Sequence, residues 1–233
     1  MNNALLQIKI KERLNKLASM DYDNIECWQV AEAFNKAQLE FVRRQVHGIN
    51  QTKEGDESSD VLIDDLQRLL VEAPLTGTNQ DIYFETQVLP TEYLYFKRIG
   101  AKSHTDCCPD RALGVYLAPV ADVSQLLVDS LRNPSAEWGE TFCTLQGNKM
   151  RIYHNNKFQV VDPKLTYYRK PVEVQFAGCV NLNTGQTVPA DIICEFKDDV
   201  AELIVDDAAS ILAGDIESIT QYQRNKTNST SNN

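Results

Sequence analysis

The hydrophobic period of this chain changes twice, and no single-layer helical or all-strand fold accommodates that. Residues 4–19 place Leu6, Ile10, Leu14 and Leu17 at helical spacing with lysines between them. Asp21-Tyr22-Asp23 breaks this pattern, and Asp23 or Asn24 is placed to cap a second helix running to about Val46. Its apolar stripe is Cys27, Val30, Ala31, Phe34, Ala37 or Gln38, and Phe41, and Gly48 supplies the C-terminal stop. From about 81 to 180 the period becomes two. Aromatic and β-branched runs at Ile82–Phe84, Tyr93–Phe96, Gly114–Leu117, Phe142–Leu145, Met150–Tyr153, Phe158–Val161, Leu165–Tyr168 and Val172–Val174 read as strands. Helical spacing then returns, with Asp198 or Asp199 capping a stripe of Val200, Leu203, Ile204, Ala208, Ile211 and Leu212. Gly214-Asp215 is a candidate kink before Ile216–Tyr222.

The expected fold class is therefore α+β: an N-terminal helical hairpin, a central antiparallel β module and C-terminal helices. The hairpin occupies 1–48, and a linker with one short element occupies 49–80, its 50–60 stretch being a polar loop. The β module spans 81–193, with one short helix at 120–132 closed by Pro134. Helices in 194–224 pack on the N-terminal pair, and 225–233 is a polar tail. Gly147-Asn148 and Asn155-Asn156 tolerate the positive φ of hairpin turns, which makes 141–169 a meander of three or four strands.

The 233 residues suffice for one large domain or two small ones. The net charge of −10 argues against holding nucleic acid by phosphate neutralisation. Six cysteines (Cys27, Cys107, Cys108, Cys143, Cys179 and Cys194) match no zinc spacing and contain no CxxC. Cys27 and Cys194 lie in apolar helical patterns, where a thiol acts as a small hydrophobe, and a reducing cytoplasm fits this usage. No signal peptide opens the chain and no apolar run approaches the length of a membrane span, so sequons at Asn50, Asn225 and Asn228 carry no meaning.

The search for chemistry ends without a catalytic, cofactor-binding or metal-binding motif. His47, His104 and His154 have no partner at ligand spacing, and no Gly-rich phosphate loop or nucleophile elbow occurs. Cys107 with His104 lacks the third, orienting group of a nucleophilic site. The pairs Asp64-Asp65, Asp198-Asp199 and Asp206-Asp207 read as helix caps and a solvated face. What remains is a set of interface candidates: Arg43 and Arg44 on an exposed helix face beside Glu40, the sheet aromatics Tyr93, Tyr95 and Tyr167, and Tyr222. Alternate strand positions face opposite sides, so core and interface are both open to these rings.

Four segments together carry a resemblance: WQVAEAFNKAQLEFVRR in the early helix, LPTEYLYFKRIGAKS, KLTYYRKP, and ELIVDDAASILAGDIES near the end. In this order they resemble the neck ring, or head–tail connector (adaptor), proteins of crAss-like and related podovirus-type bacteriophages. The resemblance implies a structural virion protein and not an enzyme. It implies a homo-oligomeric ring, commonly a dodecamer, assembled in the host cytoplasm between portal and tail. Its partners would be further copies of itself, the portal and adjacent neck or tail proteins, with DNA passing through the lumen without specific binding, no membrane and no cofactor. A closed ring of identical chains needs two different complementary patches on each subunit. Another tail or capsid-associated virion protein, and an enzyme or ligand-binding module, are the alternative readings.

Overall fold

The computed structural model describes residues 1–15, 25–49, 64–106, 108–182 and 184–215, together with Gln223 and Thr227. The expectations at Leu17, at the Asp23 or Asn24 cap, across the 50–60 loop, at Ile216–Tyr222 and for most of the tail lie outside these residues. The chain divides into two compact units. Met1–Arg68 joins Pro171–Asn233 in a helical unit, and Leu69–Lys170 forms a sheet unit. Helices and a large sheet occur in one chain, as the α+β class requires.

In the helical unit, α1 (Asn3–Asn15) buries Leu6, Ile10 and Leu14, the stripe expected from their spacing. The α2 helix (Cys27–His47) starts at Glu26, whose backbone N–H donates to the Gln29 side chain in a capping box. It ends at Gly48 in the left-handed conformation (φ 68°). The third helix of this unit, Asp198–Asp215, is buried at every position from Ile204 to Ser210. A helix covered all round is a central one, and both other helices pack on it more than on each other. Lys9 pairs with Glu202, and Arg13 with Glu202 and Asp206, in ascending order, so α1 runs alongside this helix in the same direction.

Three sequence expectations are corrected in this unit. Asp206 and Asp207 are not a solvated face. They are buried, and each meets one arginine: Arg13 from α1 and Arg44 from α2. Burial raises the Asp206 carboxyl above its ordinary value, an effect that Arg13 opposes and Asp207 reinforces. Cys27 is not a lone hydrophobe, because the fold brings it beside Cys179 (Cα–Cα 6.0 Å) in a disulfide. Residues 171–193 fold with the helices and not with the sheet. This arm holds only isolated pairings, Gln175 with Ile192 and Val180 with Thr187. Side chains tie it down: Asn35 of α2 donates to the Val174 carbonyl (3.1 Å) and accepts from its N–H (2.8 Å), and Asn3 donates to Gln175 and Ile192 carbonyls.

The sheet unit has eight strands: β1 (Leu70–Pro74), β2 (Gly77–Asn79), β3 (Tyr83–Thr86), β4 (Tyr93–Thr105), β5 (Cys108–Leu117), β6 (Glu140–Gln146), β7 (Lys149–Tyr153) and β8 (Gln159–Arg169). They lie in the order β1-β8-β4-β5-β6-β7-β3-β2. The expected all-antiparallel module is corrected, because β5 and β6 pair in parallel, Val115 opposite Thr141. Parallel neighbours need a crossover, and here residues 118–139 supply it, with α3 (Val123–Val128) inside. The expected meander over 141–169 is also corrected. Only β6 and β7 form a hairpin, turning at Gly147 and Asn148 with positive φ, while β8 pairs with β4 and β1. The thirteen-residue β4 and eleven-residue β8 offer each other the longest matching ladder, and Ile99, Leu165 and Tyr167 of these strands share one core. The sheet curls around that core, which also holds Phe84, Met150, Ile152 and Val160. The curl closes through a side chain: Asn79 of β2 donates to the Val160 carbonyl of β8 (3.3 Å) and accepts from its N–H (3.2 Å).

Candidate interaction surfaces

The crossover of the sheet unit places large apolar side chains in solvent. Val128 is 84%, Leu131 91% and Trp138 82% exposed. Local chemistry fixes this shape. Pro119 precedes a 3-10 turn at Val120–Asp122 that leads into α3, which buries Leu126 on Ala118, Phe142 and Tyr153. After α3 the Asp129 carboxylate accepts from the Leu131 N–H (2.9 Å), and the Ser135 hydroxyl accepts from the Trp138 N–H (3.4 Å). Gly139 then turns with φ +66°, its carbonyl accepting from the Gly114 N–H at 2.7 Å. A Cβ at this position would lie 2.8 Å from the Ala112 carbonyl oxygen, so only glycine fits. Tyr116, Leu117, Leu131 and Trp138 line one depression of about 380 Å³, with Asp122, Arg132 and Glu140 among its polar residues. Burial raises the Tyr116 hydroxyl above its ordinary value, and the Arg132 charge opposes that rise.

The helical unit has a groove of its own, of about 390 Å³, between the outer face of α2 and the 173–188 arm. Trp28 and Leu39 form one wall, Val180 and Leu182 the other, with Glu32, Lys36 and Glu173 among its polar residues. Leu39, Val180 and Leu182 are each about half exposed. The Cys27–Cys179 bond and the two hydrogen bonds between the Asn35 side chain and the Val174 backbone hold the walls together.

A third concavity, an open cleft of about 880 Å³, lies on the sheet unit over β1, β8 and β4. Its charges answer one another across strands, Lys102 with Asp162 and Lys164 with Glu72, each at 3.4 Å, beside Arg98. Exposed pairs of this kind contribute little to stability. Groups with proton-transfer potential are dispersed. His104 contacts Asp110 at 2.7 Å on an exposed part of the sheet, whereas Cys143 is buried and its thiol is pushed up to about 12. Among the described residues no group of three or more His, Cys, Asp or Glu side chains is placed to hold a metal ion. Among them, too, no helix is long and apolar enough to cross a membrane.

The interface candidates named from sequence separate. Arg43 is exposed on α2, as expected. Arg44 is corrected from exposed face to internal ion pair, because its guanidinium is engaged by Asp207. Tyr167 is corrected from interface to core. It is 1% exposed, stacks near Tyr93 (5.7 Å between centroids) and donates its hydroxyl to Glu92 (3.2 Å). Tyr93 and Tyr95 are half-buried, and burial pushes the Tyr93 hydroxyl up to about 12. Tyr222 lies outside the described residues. Sequence reasoning missed Leu131 and Trp138, whose signal was two large apolar residues isolated among polar ones in SLRNPSAEWGE. No protein-family model matches the chain, and no curated protein is similar to it.

Proposed function

We propose that this chain is a non-catalytic assembly subunit, a virion neck ring protein that joins portal to tail as a homo-oligomer with DNA passing through the lumen. The observation that carries the reading is the crossover surface of Val128, Leu131 and Trp138, more than four-fifths of each side chain facing solvent. Single exposed apolar residues are ordinary, but Leu131 and Trp138 line one depression with Tyr116 and Leu117, and tryptophan and tyrosine are side chains that protein interfaces use. The apolar groove on the helical unit is a second, different surface, and a closed ring requires two. In this reading the N-terminal helical hairpin and the C-terminal helices act together as one half of the subunit, and the curled sheet is the other. The disulfide is compatible with a particle that leaves a reducing cytoplasm for oxidising surroundings. The net charge of −10 suits a lumen through which DNA slides without sticking.

The test is the mass of the purified chain by native mass spectrometry across a concentration series, with negative-stain images of the largest species. Closed rings support the reading. A chain that stays monomeric up to its solubility limit overturns it.

A further inference from the structure

The 171–193 arm is held differently at its base and at its tip. At the base, side chains of other segments bond its backbone. The Val172 N–H donates to the Glu195 carboxylate (2.8 Å), Asn35 of α2 bonds both backbone groups of Val174, and Asn3 of α1 donates to the Gln175 and Ile192 carbonyls. Beyond Ala177 the arm turns back on itself in a small hairpin. The Gly178 N–H donates to the Val188 carbonyl (2.9 Å), the Val188 N–H to the Cys179 carbonyl (2.8 Å) and the Asn181 N–H to the Gln186 carbonyl (2.9 Å). A two-stranded hairpin standing alone is marginal in water. Packing holds its neck, where Val188 is 6% exposed, but Val180 and Leu182 further out are about half exposed. These two side chains form one wall of the groove on the helical unit. The covalent tie between this tip and the helices is the bond from Cys179 to Cys27, the first residue of α2.

The two bonded cysteines differ in access. Cys27 keeps part of its surface in solvent, whereas Cys179 is buried. Exposed disulfides are the ones that exchange with external thiols. Cys194, the other described cysteine of this unit, does not intervene. It is buried, burial pushes its thiol up, and it donates to the Gln38 side chain (3.8 Å), eleven residues and about 16 Å along α2 from Cys27.

We propose that the Cys27–Cys179 bond is a redox latch on the groove: thiol–disulfide exchange with a dithiol frees the tip that carries Val180 and Leu182, and the reverse exchange fastens it again. In opening, one thiolate of the dithiol attacks the Cys27 Sγ, the S–S bond breaks, and Cys179 leaves as a thiolate that takes up a proton. The second thiolate attacks the dithiol's own sulfur in the mixed disulfide, and Cys27 leaves and is protonated in turn. The chain gains two electrons and two protons, and the dithiol loses them and becomes a cyclic disulfide. The base of the arm stays in place, because its hydrogen bonds to Asn35, Asn3 and Glu195 involve no sulfur. The latch is a property of a single chain and holds whether or not the chain assembles.

Hydrogen exchange on the full-length chain, oxidised and then reduced with dithiothreitol, tests it. The Asn181 and Val188 amides report the tip, and the Val174 and Ile192 amides, bonded to Asn35 and Gln175, report the base. The ratio of tip to base protection within one sample cancels any loss of overall stability. That ratio should fall at least about tenfold on reduction, as a local opening does, and should recover on reoxidation with glutathione disulfide. Cys27→Ser with Cys179→Ser should show the low ratio with or without reductant. Cys108→Ser, which removes the exposed thiol of the sheet unit, should respond as wild type does. An unchanged ratio on reduction would overturn the latch, because the bond would then staple the whole unit or nothing at all. A response lost in Cys108→Ser, or an oxidised chain in which Cys27 and Cys179 remain free thiols, would overturn it as well.

Discussion

The Arg44 guanidinium of α2 donates to both carboxylate oxygens of Asp207 on the central helix, and only 8% of the Asp207 side chain meets solvent. The neighbouring residue, Asp206, meets Arg13 of α1 through its Nε at 2.5 Å. Two successive carboxylates on one helix therefore anchor two different helices. Successive helical residues point about 100° apart, which is how one dipeptide reaches partners on two sides. The arrangement fixes which faces of α1 and α2 turn toward the centre, a matter that apolar stripes alone specify loosely.

Breaking one of these pairs should cost more than removing both members. Arg44→Met leaves the Asp207 carboxylate buried without its partner, and the expected loss is about 3 kcal/mol. Pairing it with Asp207→Leu replaces the ions by apolar groups of similar size and should recover most of that loss. Urea unfolding of the two single variants and the double variant completes the cycle. A loss below about 0.5 kcal/mol for Arg44→Met would place the pair among exposed ion pairs that contribute little.

His154 gives the sheet unit a sensitivity to acid. It is buried at the end of β7, and its Nδ1 accepts the Asn156 N–H at 3.2 Å, so the neutral ring carries its proton on Nε2. Burial holds its pKa below the ordinary 6.5, opposed in part by the carbonyl groups of Tyr83 and Gln80. In the unfolded chain the ring binds a proton as the pH falls through 6.5, while the folded chain does not yet do so. The unfolded state then holds more protons, and stability falls with falling pH across the window from 6.5 down to the folded value. Below that value this contribution levels off. His154→Phe should flatten the dependence in that window, measured as unfolding midpoint against pH. An unchanged slope in the variant would mean that another group produces it.

Much of the fold was legible because local and tertiary preferences agreed. Leu6, Ile10 and Leu14 repeat at helical spacing and are all buried, and Gly48 stops α2 where a left-handed residue is needed. Asn148, Asn155 and Asn156 take the positive φ expected of them. The misreadings share a different cause, which is non-local pairing. Nothing near Cys27 in sequence announces Cys179, which lies 152 residues on. Nothing in the run Leu165–Tyr168 says that β8 chooses β4 over β7. The polarity of Asp206 and Asp207 suggested solvent because arginines on distant helices are invisible in a local window. Of the surfaces, the aromatic content of the sheet was read correctly but assigned too freely. Tyr167 enters the core, and the most exposed ring among the described residues is Trp138, on a crossover required by a parallel pairing that strand runs do not reveal.

The disulfide should stabilise the helical unit by confining the unfolded chain, because it links residues 152 positions apart. Reduction, or Cys27→Ser with Cys179→Ser, should lower its unfolding free energy by about 2–4 kcal/mol. Mass analysis after alkylation under denaturing, non-reducing conditions counts the protected thiols. Two protected cysteines that become reactive after reduction, with a lower melting temperature, is the expected outcome. Alkylation of both Cys27 and Cys179 without reductant would mean that the bond does not form in the purified chain.

The closure of the sheet by Asn79 makes the sharpest claim about its shape. Strand β2 is an edge of only three residues, and its other neighbour is β3. The Asn79 amide takes the place of a further backbone ladder, meeting both the N–H and the carbonyl of Val160 on β8. Unpaired strand edges invite association with other chains, and this contact occupies one of them. Asn79→Ala leaves both backbone groups of Val160 without that partner, at a cost of about 1–3 kcal/mol. Asn79→Asp keeps the acceptor for the Val160 N–H but sets a carboxylate oxygen against the carbonyl, so it should not rescue the fold. Hydrogen exchange reads the result residue by residue. The Val160 amide should lose protection in Asn79→Ala, while the Tyr167 amide in the same strand, paired across to Phe96 and Val71, should keep it. Uniform loss along β8 would mean that the whole strand depends on the closure, and no loss at Val160 would mean that the edge is held by backbone pairing alone.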